Sequence, residues 1–279
     1  MADETVPVEE QVLYSVDGGV ARITINSPET GNALTFDMRD RMRDLFDDAS
    51  AELAVRVVVL TAAGGRHFCT GANLRGGSKA AAKPRPEGAP DRAVGEAARM
   101  IRRGWQRLIA AILDCEKPVI AAVNGTAAGG GAQLVLAADL AIMAEDARFI
   151  EAFIRRGIIP DAGGAYLLPR TVGMKRAKEI MFFGDDVSAA EAAELGIVNR
   201  VVARAEFEKA VDEWAARFVN LPTRAVANIK GLLNRSLESS RYEAFEDEAV
   251  VQELNNLSED AREGMKAFVE RRDPDFKGW

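Results

Sequence analysis

Residues 119–133 decide the fold class; they read Val-Ile-Ala-Ala-Val-Asn-Gly-Thr-Ala-Ala-Gly-Gly-Gly-Ala-Gln. The first five residues form a continuous apolar stretch, which is typical of a strand covered on both faces of a parallel sheet. The three glycines then lead into a small-residue stretch that predicts a helix over 129–138. The first N–H groups of such a helix lack intrahelical partners and lie at the positive end of its dipole. The run therefore predicts an α/β fold with a helix start suited to negative charge.

A second glycine-bearing run lies upstream at residues 67–74, His-Phe-Cys-Thr-Gly-Ala-Asn-Leu, after an apolar strand predicted over 56–61. Glycine lets the backbone turn so that its N–H groups point outward, which is the geometry of an anion nest. Ordinary packing explains each run taken singly, but two converging runs could hold a developing oxyanion. Neither run matches the dinucleotide fingerprint or the phosphate loop.

Outward from these runs, strand and helix patterns alternate up to residue 203, and only helical patterns follow. The first part is predicted to hold a hairpin of 11–16 with 20–25, helices over 35–53 and 93–115, a strand over 140–144, short helices over 163–195 and a strand over 197–202. Residues 62–78 are predicted as a loop and the proline-rich residues 79–92 as a surface excursion. Four further helices are predicted over 204–220, 222–238, 240–256 and 258–271. We therefore divide the chain into a core of 1–203 and a helical region of 204–279.

Composition narrows the function classes. The 279 residues include 36 basic and 43 acidic side chains, a net charge of -7, which argues against a nucleic-acid partner. Two cysteines and the single histidine His67 are too few for the usual zinc or Cys-based metal sites, so no metal site is expected. His67 is expected to be structural, because no Ser or Cys nucleophile pattern accompanies it. The N-terminus is acidic with no apolar stretch behind it, and no window approaches a membrane span, so we expect a cytoplasmic protein without membrane contact.

Short motifs along the chain resemble those of the crotonase superfamily, the enoyl-CoA hydratase/isomerase group. They are Asn32-Ala33-Leu34, the run Phe68 to Leu74, Asn124-Gly125 with Gly129-Gly130-Gly131, the run Ile159 to Gly164, the run Ala192 to Gly196, and the ending Phe276-Lys277-Gly278. The match covers nearly the whole chain, and the order and spacing of the motifs make it specific. The resemblance implies an α/β fold built as a repeated ββα spiral with a helical C-terminal region for oligomerisation, assembled as homotrimers or hexamers.

The resemblance further implies that the ligand is an acyl-CoA thioester, with CoA entering as part of the substrate and no separate cofactor. The thioester carbonyl oxygen would lie between the backbone N–H groups of Ala72 and Gly130. The substrate-binding residues implied around it are Gly129, Asn73, Leu74, Gln133, Phe153 and Lys277. Asn73 and Leu74 would follow the adenine and pantetheine path, and Lys277 would reach the nucleotide.

The residues at two positions of this chain argue against the hydration of an enoyl-CoA by the family's usual mechanism. Hydratases of the family use two glutamates, and the corresponding positions here are Gln133 and Phe153. An amide and a phenyl ring cannot take a proton. Glu151 lies two residues from Phe153, and it could replace the second acid only if the local register differed.

Asp161 is the remaining carboxylate at a useful position, where some isomerases of the family also carry an acid. The surrounding segment resembles that of the ring-oxepin isomerases of phenylacetate breakdown and the Δ3,Δ2-enoyl-CoA isomerases. We therefore expect an isomerase in which Asp161 moves a proton between two carbons while Ala72 and Gly130 hold the enolate. Two other functions stay open, a hydratase that uses Glu151 and an acyl-CoA-binding protein without catalysis. A structural alternative for Asp161 is a helix N-cap.

Overall fold

The computed structural model describes residues 6–74, 85–90 and 93–279. Ten strands are present in these ranges: β1 Val12–Asp17, β2 Val20–Ile25, β3 Val57–Ala62, β4 His67–Cys69, β5 Val119–Val123, β6 Thr126–Ala128, β7 Leu140–Ala144, β8 Arg148–Ile150, β9 Asp186–Ser188 and β10 Arg200–Val202. They form two sheets, one of six strands and one of four. Most of the predicted surface excursion, 79–84 and 91–92, lies outside the described residues, as do residues 75–78 of the predicted loop.

The six-stranded sheet has the order β1-β2-β3-β5-β7-β10. β1 and β2 form the predicted antiparallel hairpin, and every later pairing in this sheet is parallel. All residues of β3 and β5 are buried. Continuous apolar strands are expected in a parallel sheet that is covered on both faces, and this is the pattern from which the fold class was predicted.

The four-stranded sheet has the order β4-β6-β8-β9 and gives the fold its repeat. β3, β5 and β7 lie in the large sheet, and the next strand along the chain in each case, β4, β6 and β8, lies in the small sheet. A helical segment follows each pair before the chain returns to the large sheet or the small one. This arrangement is the expected ββα spiral.

The helices of the described residues are α1 Val8–Gln11, α2 Phe36–Ala51, α3 Glu96–Arg103, α4 Trp105–Asp114, α5 Gly130–Ala137, α6 Gly164–Val172, α7 Met174–Phe183, α8 Ala189–Glu194, α9 Phe207–Val219, α10 Thr223–Ser236, α11 Arg241–Asn255 and α12 Glu259–Glu270. Thr35 is the N-cap of α2, and its side-chain oxygen accepts a hydrogen bond from the Met38 amide at 3.2 Å, which fixes the start of the helix. The described residues contain no helix long and apolar enough to cross a membrane.

The single helix predicted over 93–115 was wrong, because the chain breaks at Gly104 into α3 and α4. Gly104 has φ -107° and ψ -103°, which is not helical. A Cβ atom there would overlap the guanidinium group of Arg39 and approach the carbonyl oxygen of Met100. The break therefore brings α4 close to a charged side chain of α2.

The small sheet was the other structural feature missed, since β4 lies in a predicted loop and β6, β8 and β9 were not predicted. Each of these strands has only three residues, too few to show a period of two. The last predicted strand, 197–202, was too long: the amides of Ile197 and Val198 bond to the Ala192 carbonyl at 2.8 and 3.3 Å, and β10 begins at Arg200.

The helices α9–α12 follow the last strand, as the sequence predicted. α9 packs against β2, β3 and β7 of the large sheet. α10 is tied to the core through Lys230, whose Nζ lies 2.8 Å from a carboxylate oxygen of Asp139 and 2.9 Å from the Ile112 carbonyl oxygen. The division into a core and an oligomerisation region stays a prediction.

Candidate active site

The two glycine-bearing runs meet in the structure. Gly71 has φ +92°, and a Cβ atom on it would lie 3.0 Å from the Gly130 nitrogen and 3.2 Å from the Ala128 carbonyl oxygen. Both the positive φ and this close approach favour glycine at position 71. The start of α5 therefore lies directly against the backbone at residues 71–72.

Two backbone amides are free to point into the space beside this contact. The Leu34 amide bonds to the Gly71 carbonyl at 2.8 Å, and the Asn73 amide bonds to the Leu34 carbonyl at 2.9 Å. Successive peptide groups of an extended chain point in opposite directions, so the Ala72 N–H is directed away from Leu34. Gly130 is the first residue of α5, and its N–H has no intrahelical acceptor.

A cavity of about 300 Å³ opens at these amides. Seven of the predicted site residues line it: Ala72, Gly130, Asp161, Asn73, Leu74, Gly129 and Phe153. Larger clefts of about 630 Å³ lie beside α10 and α11, but they contain neither glycine run. The smaller cavity is the candidate active site, because it combines convergent donors, apolar walls and a carboxyl group.

Asp161 is half-buried and lines this cavity. The interpretation of Asp161 as a helix cap was wrong, because the N-cap of α6 is Gly163, with no side-chain cap bond. Burial raises the pKa of the Asp161 carboxyl above its usual value, and a hydrogen bond from its own backbone amide opposes that rise. The side chain is therefore accessible to a ligand and holds a proton more readily than an exposed aspartate does.

Gln133 does not line the cavity, contrary to the prediction that it binds substrate. Its side chain is fully buried, and its Nε2 donates to both carboxylate oxygens of Glu151 at 2.8 and 3.0 Å. Gly164 makes room for it, since a Cβ atom there would overlap the Gln133 amide. Gln133 stands at the position of the family's first glutamate, and its amide is therefore bonded to another buried side chain, that of Glu151.

Glu151 is also closed off from solvent, with 1% of its surface exposed. Burial raises the pKa of the Glu151 carboxyl to about 7, and the hydrogen bond from Gln133 opposes the rise. The Gln133 Oε1 atom has no hydrogen-bond partner among the described residues. Glu151 precedes the cavity residues Ala152 and Phe153 but is not itself part of the wall.

Lys277 does not line the cavity within this chain, and its contact with the nucleotide stays a prediction. Its backbone amide bonds to Asp260 at 2.6 Å, and its Nζ pairs with Asp275 at 2.7 Å. The contact with Asp260 holds the C-terminal segment against α12.

Ten residues of the cavity wall were not among the predicted site residues, and three of these bear most on ligand binding: Arg39, Trp105 and Arg156. Trp105 covers the oxyanion position, because a Cβ atom on Gly130 would overlap its ring. Arg156 donates to the Ala152 carbonyl at 3.2 Å, while its neighbour Arg155 pairs with Asp186 at 2.8 Å. The sequence offered a signal for Arg39, which follows Phe36 by one helical turn along the inner side of α2.

His67 and Cys69 do not form a nucleophilic pair. Cys69 is fully buried, and burial raises the pKa of its thiol to about 12, so the reactive thiolate is suppressed. Burial lowers the pKa of His67, which lies in β4 as part of the small sheet. Among the described residues, no three His, Cys, Asp or Glu side chains are grouped so that they could hold a metal ion.

Comparison with known proteins places the chain in a family. Residues 15–279 match the family model described as enoyl-CoA hydratase/isomerase. The "Probable enoyl-CoA hydratase" of Rhodobacter capsulatus is 38% identical over 96% of this chain and 98% of its own length. The 1,2-epoxyphenylacetyl-CoA isomerase of Escherichia coli is 34% identical over 96% of this chain and 99% of its own length. The crystal structure of enoyl-CoA hydratase from Bacillus anthracis superposes with a TM-score of 0.84 at 31% identity, covering 96% of this chain and all of that one. The chain therefore belongs to the enoyl-CoA hydratase/isomerase family, the crotonase superfamily indicated by its motifs.

Proposed function

We propose that the protein is an acyl-CoA isomerase that moves a carbon–carbon double bond along an acyl thioester. One observation carries the proposal: the Asp161 carboxyl and the amides of Ala72 and Gly130 line the same cavity. No glutamate lines that cavity at either position where a hydratase of this family has one. A single accessible carboxyl group suits a reaction in which one group both removes and returns a proton.

The proposed reaction begins when the thioester carbonyl oxygen accepts hydrogen bonds from Ala72 and Gly130. The Asp161 carboxylate removes a proton from carbon 2 of a 3-enoyl thioester, and the electron pair of that bond moves toward the carbonyl oxygen. Fixed donors stabilise the resulting enolate, each by roughly 2.7–4 kcal/mol. Protonated Asp161 then returns the proton to carbon 4, which leaves a 2-enoyl thioester.

The side chains around the cavity favour a proton shift over the addition of water. Phe153 and Trp105 are each about nine-tenths buried and present aromatic surface to the ligand. The raised pKa of Asp161 makes its carboxylate a stronger base and brings its two protonation states closer in free energy. No electron is gained or lost in the shift, so the CoA of the substrate is the only coenzyme that the reaction needs.

Likeness to the Escherichia coli isomerase supports the proposal, although a relative named as a hydratase is similar over the same length. The decisive experiment is a panel of enoyl-CoA thioesters scored separately for double-bond migration and for hydration. We expect migration in a 3-enoyl-CoA, detected by NMR as transfer of the olefinic signals, and its near loss in Asp161→Asn. Migration at the wild-type rate in Asp161→Asn would refute the assignment. Tight thioester binding without any turnover would instead favour a binding protein.

Hydration by Glu151 is the second candidate function, because a buried carboxyl with a pKa of about 7 is suited to move protons at neutral pH. It requires Glu151 to leave Gln133 and enter the cavity. Hydration of crotonyl-CoA that is lost in Glu151→Gln and retained in Asp161→Asn would favour this mechanism.

We also propose that the protein assembles as a homotrimer or hexamer through its helical region. Large apolar side chains are more than half exposed along α10–α12: Ile229, Leu233, Phe245, Leu254, Met265, Phe268 and Val269. Exposed apolar surface of this extent is typical of an interaction face. Native mass spectrometry should give three or six copies, and a monomer at micromolar concentration would contradict the proposal.

A further inference from the structure

The Arg39 guanidinium group is the feature of the cavity that double-bond migration does not use. Only 7% of the Arg39 surface is exposed, yet the residue lines the cavity beside the oxyanion donors. Arginine is rarely buried to this extent without a partner that matches its charge. Its partners therefore bear on which ligand the cavity accepts.

The hydrogen bonds of Arg39 leave one nitrogen of the guanidinium group, Nη1, without an acceptor among the described residues. Its Nε and Nη2 atoms both donate to a single oxygen of Asp40, at 3.1 and 2.9 Å. Asp40 is the next residue in α2, and its side chain is 44% exposed. Among the described residues, none accepts a hydrogen bond from Nη1. The fully buried polar atoms that lack a partner among the described residues do not include Nη1, so this nitrogen keeps some exposure and can donate to another acceptor.

Packing holds the Nη1 end of the guanidinium group in place. The guanidinium carbon lies 4.9 Å from the centre of the Phe36 ring on one side. Gly104 lies against Nη1 on another side, where the absence of a Cβ atom permits the contact. The next residue, Trp105, reaches Gly130. Arg39 and Gly130 therefore lie against two consecutive residues at the start of α4, Gly104 and Trp105.

Two of the three ionisable cavity residues are basic, which suits an anion, although Asp40 already offsets part of the Arg39 charge. Three of the described cavity residues are ionisable: Arg39, Arg156 and Asp161. Burial raises the pKa of Asp161, so its negative charge is weaker than that of an ordinary aspartate. A purely hydrocarbon acyl chain would cover Nη1 without offering it an acceptor, and a buried donor without a partner opposes binding.

Two parts of an acyl-CoA could supply the anion, the acyl group and the phosphates of CoA. The cavity of about 300 Å³, as the described residues bound it, matches a short acyl group and its thioester, and a nucleotide would extend beyond it. The position of Arg39 in the wall of this cavity therefore favours the acyl group.

We propose that Arg39 is a specificity-determining residue that binds a carboxylate carried by the acyl group, at the end remote from the thioester. The inference rests on the proposed function and names its substrate class: CoA thioesters of short unsaturated dicarboxylic acids. The pairing has the usual form of a guanidinium–carboxylate hydrogen bond, with Nη1 donating.

The test compares two saturated thioesters of equal length, hexanedioyl-CoA and hexanoyl-CoA, together with free CoA, by isothermal titration calorimetry. The wild-type protein should bind hexanedioyl-CoA about 10- to 100-fold more tightly than hexanoyl-CoA, the range expected of a charged hydrogen bond. Equal binding of the two, or a preference for hexanoyl-CoA, overturns the proposal without any variant. The measurement needs no turnover, so a failure of the proposed isomerisation would be seen separately, as absent migration in the matching 3-enoyl thioesters.

A variant then assigns the preference to the side chain. Arg39→Gln should remove most of the preference for hexanedioyl-CoA and leave the affinities for hexanoyl-CoA and free CoA within about threefold. The matched control is Arg41→Gln on the same helix; Arg41 donates to the Val12 carbonyl oxygen, pairs with Glu9 and does not line the cavity. An equal loss of affinity for all three ligands in Arg39→Gln would assign Arg39 to the CoA phosphates and overturn the proposal. A preference that survives in folded Arg39→Gln, with an unchanged circular dichroism spectrum, would overturn it as well.

Discussion

Two carboxyl groups with raised pKa values, Asp161 and Glu151, lie in or next to the cavity wall, and they differ in their access to a ligand. Asp161 is half-buried and lines the cavity, whereas Glu151 is closed off behind the wall and bonds to Gln133. Burial raises the pKa of both groups, and the larger rise belongs to the inaccessible one. A perturbed pKa therefore does not identify a catalytic acid by itself; access to the ligand must be added to it.

The largest expected effect is a difference in kcat between two conservative variants. Asp161→Asn should lower kcat for double-bond migration by about 10²- to 10⁴-fold, because it removes the group that carries the proton. Glu151→Gln should change kcat by less than about tenfold, because the replaced group does not contact the ligand. Steady-state kinetics with a 3-enoyl-CoA measures both. A larger loss in Glu151→Gln than in Asp161→Asn would reverse the roles assigned here.

The second-largest expected effect concerns the oxyanion donors, which line the same cavity as Asp161. Gly130→Ala places a Cβ atom into the Trp105 ring, so the ring or the start of α5 must move. We expect kcat to fall by about 10²-fold, which is comparable to the loss of one oxyanion donor. The matched control is Gly231→Ala in α10, where a Cβ atom meets nothing within 4 Å and the activity should be unchanged. Full activity in Gly130→Ala would remove Gly130 from the mechanism.

A smaller effect should appear in the stability contributed by Glu151. Its pKa is about 7 in the folded protein against an ordinary 4.5, so the folded state holds the proton more tightly. Its contribution to stability is complete below about pH 4.5 and is lost as the pH rises through about 7. The free energy of unfolding of the wild type should therefore decrease, relative to Glu151→Gln, by at most about 3 kcal/mol between pH 4 and 8.

Urea denaturation at a fixed protein concentration measures this difference. Holding the concentration constant matters because any assembly would add its own stabilisation. Parallel pH profiles for the wild type and Glu151→Gln would mean that Glu151 is solvated in the folded protein.

The smallest expected effect is on the acid limb of the activity profile. Asp161 must be ionised to remove a proton, so kcat/KM should rise with pH through the raised pKa of Asp161 and be independent of pH above it. The apparent pKa of this limb should lie above the usual value of 3.8. Glu151→Gln should leave the limb in place. A limb that moves in Glu151→Gln would show that the two carboxyl groups titrate together.

The amino-acid sequence predicts the central architecture because β3 and β5 are long apolar strands and the glycine runs follow them directly. It does not predict the small sheet, since a strand of three residues carries no periodic pattern. Asp161 was identifiable because it is the one carboxylate in the motif from Ile159 to Gly164. The contact between Gln133 and Glu151 joins residues 18 positions apart on different elements, and the sequence alone gives no measure of that distance.

Arg39 was missed for a related reason. Its helix was predicted correctly, but whether a charged residue at the edge of an apolar stripe turns toward solvent depends on the neighbouring helix. The break at Gly104 makes space for the guanidinium group, and that break was predicted as continuous helix.

The position of Cys69 gives the protein an internal chemical probe. Gly131 lies against the Cys69 backbone, and the Gly71 amide lies 3.4 Å from the Cys69 sulfur, so this thiol lies beneath both glycine runs. A thiol reagent can therefore modify Cys69 only when the backbone of the two glycine runs moves away from it. In a Cys115→Ser background, the rate of labelling would report every opening that exposes Cys69, and its slowing by a bound thioester would measure how strongly the ligand opposes those openings.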